Sequence, residues 1–120
     1  MAGVLKSKFP LGNGDLVLDV GGREGDISLA IQKPEFIHLV DPDPTLNLSF
    51  TPACYWKEKI QNVNLSDYKY KLIICSHVLG YLGAQEVQAQ VFHTLVQSLD
   101  RNGTLVLFYN YYQEIVSSGV

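Results

Sequence analysis

Short apolar runs alternate along the chain with longer segments whose apolar residues recur every three to four positions. The short runs are nearly continuous in apolar residues, which is typical of strands buried on both faces of a parallel sheet. They predict strands at residues 16–20, 36–40, 54–57, 71–75 and 104–109.

Two of the longer segments have helical spacing. Residues 26–32 open on Asp26, whose carboxylate can cap a helix N-terminus. Residues 84–99 carry an apolar stripe formed by Val87, Val91, Leu95 and Leu99. Residues 45–52 follow two prolines and predict a short turn of helix at most, and residues 100–103 predict a turn.

The order of these elements predicts the fold class. Strands that alternate with helices imply parallel pairing through right-handed crossovers. We therefore expect an α/β fold, a doubly wound and mostly parallel sheet of about five strands, with its ligand site at the carboxyl ends of the strands. The 120 residues suit a single domain, 1–120, which could itself be a fragment of a longer chain.

Composition and charge narrow the classes of function. Apolar residues make up 47% of the chain and charged residues 18%, which predicts a folded core. The net charge of −3 offers no basic footprint for nucleic acid. No apolar run is long enough for a signal peptide or a membrane span, so we expect a cytoplasmic protein with no membrane contact.

The cysteines and histidines do not indicate a metal site. Cys54 and Cys75 lie inside apolar stretches without a CxxC pair, which predicts reduced, buried thiols. The histidines are scattered at His38, His77 and His93. We therefore expect no bound metal.

A glycine-rich turn follows the first predicted strand and leads into the first helix. It reads Gly21-Gly22-Arg23-Glu24-Gly25. Glycine permits positive φ in a sharp turn and lets a ligand approach the backbone. Asp19 lies just before the turn, and Asp41 ends the second strand, which a parallel sheet places beside the first. The Asp41 carboxylate could accept hydrogen bonds from both hydroxyls of a ribose, or it could only cap the Asp-Pro-Asp-Pro turn.

These residues resemble the first motif of the class I S-adenosyl-L-methionine (SAM)-dependent methyltransferases, a hydrophobic strand followed by Asp-x-Gly-x-Gly-x-Gly. Asp19, Gly21 and Gly25 match the motif, whereas its middle glycine falls on Arg23. Asp41 matches the acidic end of the family's second strand. A dinucleotide-binding fold of the NAD type is a weaker alternative, because it prefers the spacing Gly-x-Gly-x-x-Gly and no acid before it.

Later segments continue the resemblance. Residues 72–82 are similar to the family's fourth strand and the loop after it, and residues 99–107 are similar to the next turn and strand. The resemblance thus extends from about residue 15 to residue 109 and implies a Rossmann-like methyltransferase core with SAM as cofactor.

The resemblance also implies roles for particular residues. Gly21 and Gly25, with Gly22 between them, would line the methionine part of SAM. Asp19 would orient the turn or meet the ligand's ammonium through water. Asp41 would hold the ribose.

Further along the chain, Gln61 or Asn62 would sit near the adenine, and Ser76 and His77 would lie beside the methionine end of SAM. His77 could act as a general base or simply shape the pocket. Methyl transfer mainly requires alignment of the reacting atoms, so neither a catalytic residue nor the methyl acceptor is predicted.

Two departures from the family pattern leave alternatives open. The Arg23 side chain could point to solvent, pair with Glu24 or Asp26, or meet the carboxylate of SAM. The family sheet normally adds two strands after the fifth, which the sequence does not predict here. The fifth strand would then be an apolar edge, open to a homodimer or to a partner domain. The chain could accordingly be a methyltransferase or a catalytically inactive methyltransferase-like scaffold.

Overall fold

A computed structural model describes residues 11–76, 78, 82–108 and 113–118, with the backbone alone at 113 and 114. The strands are β1 Val17–Val20, β2 Ile37–Val40, β3 Cys54–Trp56, β4 Tyr70–Ser76, β5 Leu99–Phe108 and β6 Gln113–Ser117. The helices are α1 Asp26–Ile31 and α2 Gln85–Gln97, and short 3₁₀ helices form at Pro34–Phe36 and Ile60–Asn62. No helix in these ranges is long and apolar enough to cross a membrane.

The six strands form one sheet in the order β3-β2-β1-β4-β5-β6. The first five strands are parallel, and β6 runs antiparallel to β5. The chain moves outward from β1 to β2 and β3, then returns to β4 on the other side of β1. Val20 is level with Val40 on one side and with Cys75 on the other, so the carboxyl ends of three strands meet at this switch point. The predicted α/β fold class is confirmed.

Alternation along the strands divides the core between the two faces of the sheet. Leu18 and Ile73 lie in the cluster that also contains Leu95 of α2. Val17 lies in the opposite cluster, against Ile31 of α1. Each fully buried aliphatic side chain contributes roughly 1.5–3 kcal/mol relative to an exposed one. The central strands are covered on both faces, which is consistent with their mostly apolar sequences.

The sixth strand corrects the expectation that β5 is an open edge. Residues 104–108 of β5 pair in antiparallel register with Gln113–Ser117. Val116 packs against the core on the α2 side of the sheet. The β-branched Ile115 and Val116 favour a strand, but a five-residue run near the chain end carries too weak a local signal to predict its pairing.

The turn predicted at residues 100–103 is also modified. It lies inside β5 as an irregularity, because the register with β4 passes from Tyr70↔Leu99 directly to Leu72↔Thr104. Asn102 has a φ of 60° there. Residues 45–52 contain no helix, in agreement with the expected short turn at most. The predicted strand end at Tyr109 lies outside the described residues.

Candidate functional site

The glycine-rich turn is shaped by three residues with positive φ. The values are 70° at Gly21, 52° at Arg23 and 75° at Gly25. A Cβ on Gly21 would overlap the Val78 side chain and lie 2.9 Å from the Ser76 carbonyl oxygen. Glycine is therefore required at position 21 by its conformation and by the closeness of the β4 end.

Asp41, which directly follows β2, is tied to the turn. Its side chain is buried, with 6% of the residue exposed. Oδ2 accepts the backbone N–H of Arg23 at 3.0 Å, and Oδ1 accepts the backbone N–H of Asp43 at 3.0 Å. Asp41 thus caps its own turn and also holds the glycine-rich turn in place. A carboxylate oxygen accepts more than one hydrogen bond, so the same group retains capacity for a ligand hydroxyl.

Asp19 lies beneath the turn and is 1% exposed. Its Oδ2 has no hydrogen-bond partner. A Cβ on Gly22 would overlap this carboxyl group, so the absence of a side chain at position 22 makes room for it. Burial raises the pKa of Asp19 to about 6; the Ser28 hydroxyl opposes this rise and the Asp41 carboxylate adds to it. The Ser28 hydroxyl proton is directed at the Gly25 carbonyl oxygen, 3.0 Å away.

A cleft of about 550 Å³ opens beside the turn at the switch point. Its walls and its polar groups come from the carboxyl ends of β1, β2 and β4, from residues that follow these strands, and from the segment after β3. It is lined by Val20, Gly21, Arg23, Val40, Asp41, Pro42, Lys59, Ile60, Gln61, Ser76, Val78 and Leu82.

The structure separates the predicted site residues into groups. The cleft brings together four of them, Gly21, Asp41, Gln61 and Ser76. Asp19 and Gly22 lie under and within the turn that borders it. His77 lies outside the described residues.

Gly25 and Asn62 do not line the cleft. A Cβ on Gly25 would lie 2.9 Å from the Phe50 ring, so this glycine lets Phe50 pack closely on the turn. Asn62 is exposed at the end of its 3₁₀ helix. Of the two candidates for the adenine side, the cleft therefore contains Gln61.

Several lining residues were not predicted from the sequence. Ile60, Val78 and Leu82 provide apolar wall, and Lys59 adds a cation at the rim. They lie on loops or in a single 3₁₀ turn, where no periodic pattern marks them. Only their position in the sequence could have indicated that Val78 and Leu82 line the cleft, because both fall within the segment similar to the family's loop after the fourth strand.

The Arg23 side chain follows two of the alternatives left open. It is 65% exposed, and its Nε lies 3.8 Å from Glu24 Oε2. Its Nη1 lies 3.7 Å from Asp43 Oδ2, a partner that the sequence did not suggest. Such exposed pairs contribute at most about 1 kcal/mol. Arg23 thus lines the cleft with a side chain that is largely exposed to solvent.

The described residues offer binding groups rather than a reactive centre. Burial raises the pKa of the Cys75 thiol to about 12, so this cysteine is not a thiolate nucleophile. Within the described ranges no group of three or more His, Cys, Asp or Glu residues could hold a metal ion. The combination of buried carboxylates, exposed backbone and apolar wall suits an organic ligand with hydroxyl and amino groups.

Sequence comparisons yield no relatives, since no family model and no curated protein matches the chain. Solved structures do match. The N-methyltransferase NodS from Bradyrhizobium japonicum WM9, in complex with S-adenosyl-L-homocysteine (SAH), superposes with a TM-score of 0.67 at 19% identity over 88% of this chain and 57% of that one.

Two further solved structures match this chain to a similar degree. The sugar N-methyltransferase KedS8 from Streptoalloteichus sp ATCC 53650 gives a TM-score of 0.66 at 17% identity, over 88% of this chain and 44% of that one. A SAM-dependent methyltransferase from Clostridium acetobutylicum ATCC 824 gives 0.64 at 19% identity, over 85% and 45%. This chain spans about half the length of the proteins that it matches. The likeness shows that it has the Rossmann-like fold of the SAM-dependent methyltransferases.

Proposed function

We propose that this domain binds SAM in the switch-point cleft and forms the core of a SAM-dependent methyltransferase whose methyl acceptor is unknown. The observation that carries the proposal is the convergence of Gly21, Asp41, Gln61 and Ser76 on that cleft. The proposal is supported by the fold shared with methyltransferases, one of which was solved with SAH.

The residues present fit such a ligand. Gly21 and Ser76 form the end of the cleft nearest β4, where the methionine portion would bind against bare backbone. The unpartnered Oδ2 of Asp19 lies beneath the turn and would favour a cationic ammonium through a water molecule. Asp41 would accept the ribose hydroxyls, and the apolar Ile60 beside Gln61 would contact the adenine.

The chemistry asks the protein mainly for alignment. Bound SAM supplies a methyl group on a sulfonium, which is already a good leaving group. The chain's own contribution is to hold the cofactor by Asp41 and the glycine-rich turn and to keep one side of the cleft apolar with Val78 and Leu82.

Calorimetric titration with SAH tests the proposal. We expect saturable binding to the unmodified chain and at least about tenfold weaker binding to Asp41→Asn, which loses a charged acceptor for the ribose. Asp43→Asn is the matched control, because Asp43 bonds to Thr45 and does not line the cleft. We expect it to bind within about threefold of the unmodified chain, since asparagine keeps an oxygen that accepts from Thr45 and loses only the weak ion pair with Arg23.

The absence of SAH binding at millimolar ligand would contradict the proposal. Binding of NADH in place of SAH would instead support the dinucleotide alternative. Equal losses in the two aspartate variants would mean that Asp41 acts only through the turn.

The second candidate is a methyltransferase-like scaffold module without catalysis. It is favoured by Arg23, which stands where the family's first motif has its middle glycine. The two candidates differ in methyl transfer by the isolated chain, which the scaffold would lack. For either one we propose a cytoplasmic setting, in which the two free cysteines, Cys54 and Cys75, stay reduced.

A further inference from the structure

The outer edge of β6 ends the sheet. Among the residues that the structure describes, β6 pairs with β5 and with no strand on its other side. Ile115, at the centre of β6, is 38% exposed and stands out as a large hydrophobic residue at the surface of the described part of the chain.

The two edge strands of the sheet, β3 and β6, differ in the features that discourage the addition of another strand. The opposite edge, β3, has three residues and is flanked by Pro52 and Lys57, features that discourage the addition of another strand. β6 has five residues, Gln-Glu-Ile-Val-Ser, with no proline, glycine or lysine. Apart from the charge of Glu114, it therefore lacks the sequence features that commonly protect an edge.

The hydrogen-bond pattern shows which groups of β6 face outward. The N–H of Ser118 donates to the Gly103 carbonyl oxygen at 3.0 Å, which extends the register Thr104↔Ser117 by one pair. In an antiparallel ladder, hydrogen-bonded pairs alternate with non-hydrogen-bonded ones. Positions 114 and 116 thus direct their backbone groups toward β5, whereas positions 113, 115 and 117 direct theirs to the free edge.

We propose that a second copy of this chain pairs with β6 in antiparallel orientation about a two-fold axis at Ile115. The outward groups are self-complementary in this register, because position 115 meets position 115 and position 113 meets position 117 of the second copy. Each of these is a hydrogen-bonded pair, which gives about six hydrogen bonds across the axis. The two exposed Ile115 side chains meet at the centre and shield one another from water.

The position of the charged residue in β6 is compatible with the proposed register. The only charged residue of β6 is at position 114, which stands opposite position 116 of the second copy rather than opposite itself. The interface therefore places no like charges directly across from each other. β5 separates β6 from β4 and the cleft, so the dimer leaves the proposed cofactor site open and is independent of it.

Disulfide trapping tests the register. Across the axis, the Cα atoms of position 115 would lie about 5.5 Å apart, within reach of a disulfide. We expect Ile115→Cys to form a covalent dimer on mild oxidation. Ser117→Cys is the matched control, because its two copies would lie about 13 Å apart, which is too far to bridge. The unmodified chain, with Cys54 half-buried and Cys75 buried, gives the background.

Sedimentation velocity tests the association itself. We expect the mass of the unmodified chain to rise from 13.4 kDa toward twice that value as its concentration approaches about 1 mM. Ile115→Lys places like charges on the axis and should weaken the dimer at least about tenfold. Ser117→Lys, the same charge off the axis, should weaken it less than about threefold. A thermal melt shows that each variant remains folded.

Three results would overturn the proposal. They are a monomeric chain throughout this concentration range, cross-linking of Ser117→Cys as efficient as that of Ile115→Cys, and an unchanged dimer in Ile115→Lys. SAH binding is measured separately, so neither proposal depends on the outcome of the other.

Discussion

Two buried carboxyl groups support the glycine-rich turn, and they differ in what surrounds them. Asp41 receives two backbone N–H groups at 3.0 Å, whereas Asp19 Oδ2 has no partner and its pKa is raised to about 6. An unpartnered buried oxygen is uncommon in proteins because it loses its water without compensation. Asp19 thus costs stability in the absence of a ligand, as groups at binding sites often do.

Asp19 should make stability depend on pH. Its ordinary pKa is 3.8 and its folded pKa is about 6, so between these values the folded chain binds the proton more tightly than the unfolded chain. The favourable contribution of the protonated group is present below about pH 4 and is lost as the pH rises to about 6, a change of about 3 kcal/mol. Asp19→Asn removes this dependence.

Urea unfolding of the two proteins between about pH 4 and pH 7 measures the effect. As the pH rises, we expect the free energy of unfolding of Asp19→Asn to increase relative to that of the unmodified chain. The difference between the proteins is the informative quantity, because burial lowers the pKa of His38 and so makes both of them lose stability below about pH 6.5. Parallel curves would contradict the prediction.

Gly21 combines a left-handed backbone with a close contact. Gly21→Ala should lower the free energy of unfolding by about 2–4 kcal/mol, from strain at a φ of 70° and overlap with Val78 and the Ser76 carbonyl. Gly14→Ala is a matched control: φ is 95°, but nothing lies within 4 Å of the added Cβ. It should cost only about 1–2 kcal/mol, the strain alone. Equal losses in urea unfolding would show that the β4 end does not restrict this position.

At the scale of elements, hydrogen bonds and aromatic contacts connect strands that are distant in sequence. The N–H of Gly21, after β1, donates to the Val40 carbonyl oxygen of β2 at 2.7 Å. His38 Nδ1 of β2 lies 2.7 Å from the Tyr70 hydroxyl of β4, so a side-chain hydrogen bond spans the intervening β1. The His38 ring also contacts Trp56 and Tyr68 edge to face, with centroids 5.6 and 4.7 Å away. These contacts hold the two halves of the sheet together.

Removal of the Tyr70 hydroxyl should weaken this connection. In Tyr70→Phe the buried His38 Nδ1 loses its partner, which should lower the free energy of unfolding by about 1–3 kcal/mol. Tyr68→Phe is the comparison, because the Tyr68 hydroxyl has only a 3.9 Å contact with Cys54 Sγ. We expect it to cost less than about 1 kcal/mol in the same urea experiment, since contacts with sulfur are weak. Similar losses would mean that the hydrogen bond between Tyr70 and His38 contributes no more than the weak contact with sulfur.

At the scale of the whole molecule, the order of the strands creates the cleft. The sequence extends outward through β2 and β3 and then resumes at β4 beside β1, and the helices α1 and α2 pack on opposite faces of the sheet. The cleft opens at the carboxyl ends of β1 and β4, where this change of direction occurs. Gly21 and the Ser76 carbonyl lie close together here, and both residues line the cleft. The same order places β6 at the far edge of the sheet, away from the cleft.

The sequence alone determined the main elements and the central turn. The strands and helices agree with the predictions to within a few residues at most boundaries, because continuous apolar runs and helical spacing are local properties that packing did not override. The placement of Asp19, Gly21 and Asp41 around one turn also followed from local order, since parallel strands end at the same edge of the sheet.

Only the tertiary structure decided which groups meet. Gln61 lines the cleft and Asn62 does not, since the direction of neighbouring side chains in a 3₁₀ turn depends on how Ile60 packs in the core. Asp41 holds the glycine-rich turn in place by accepting the Arg23 N–H, a group 18 positions away in sequence. The pairing of β6 with β5 depends on register, which a short strand acquires from its partner and from the packing of Val116. These contacts join groups that are not adjacent in sequence, so local patterns do not contain them.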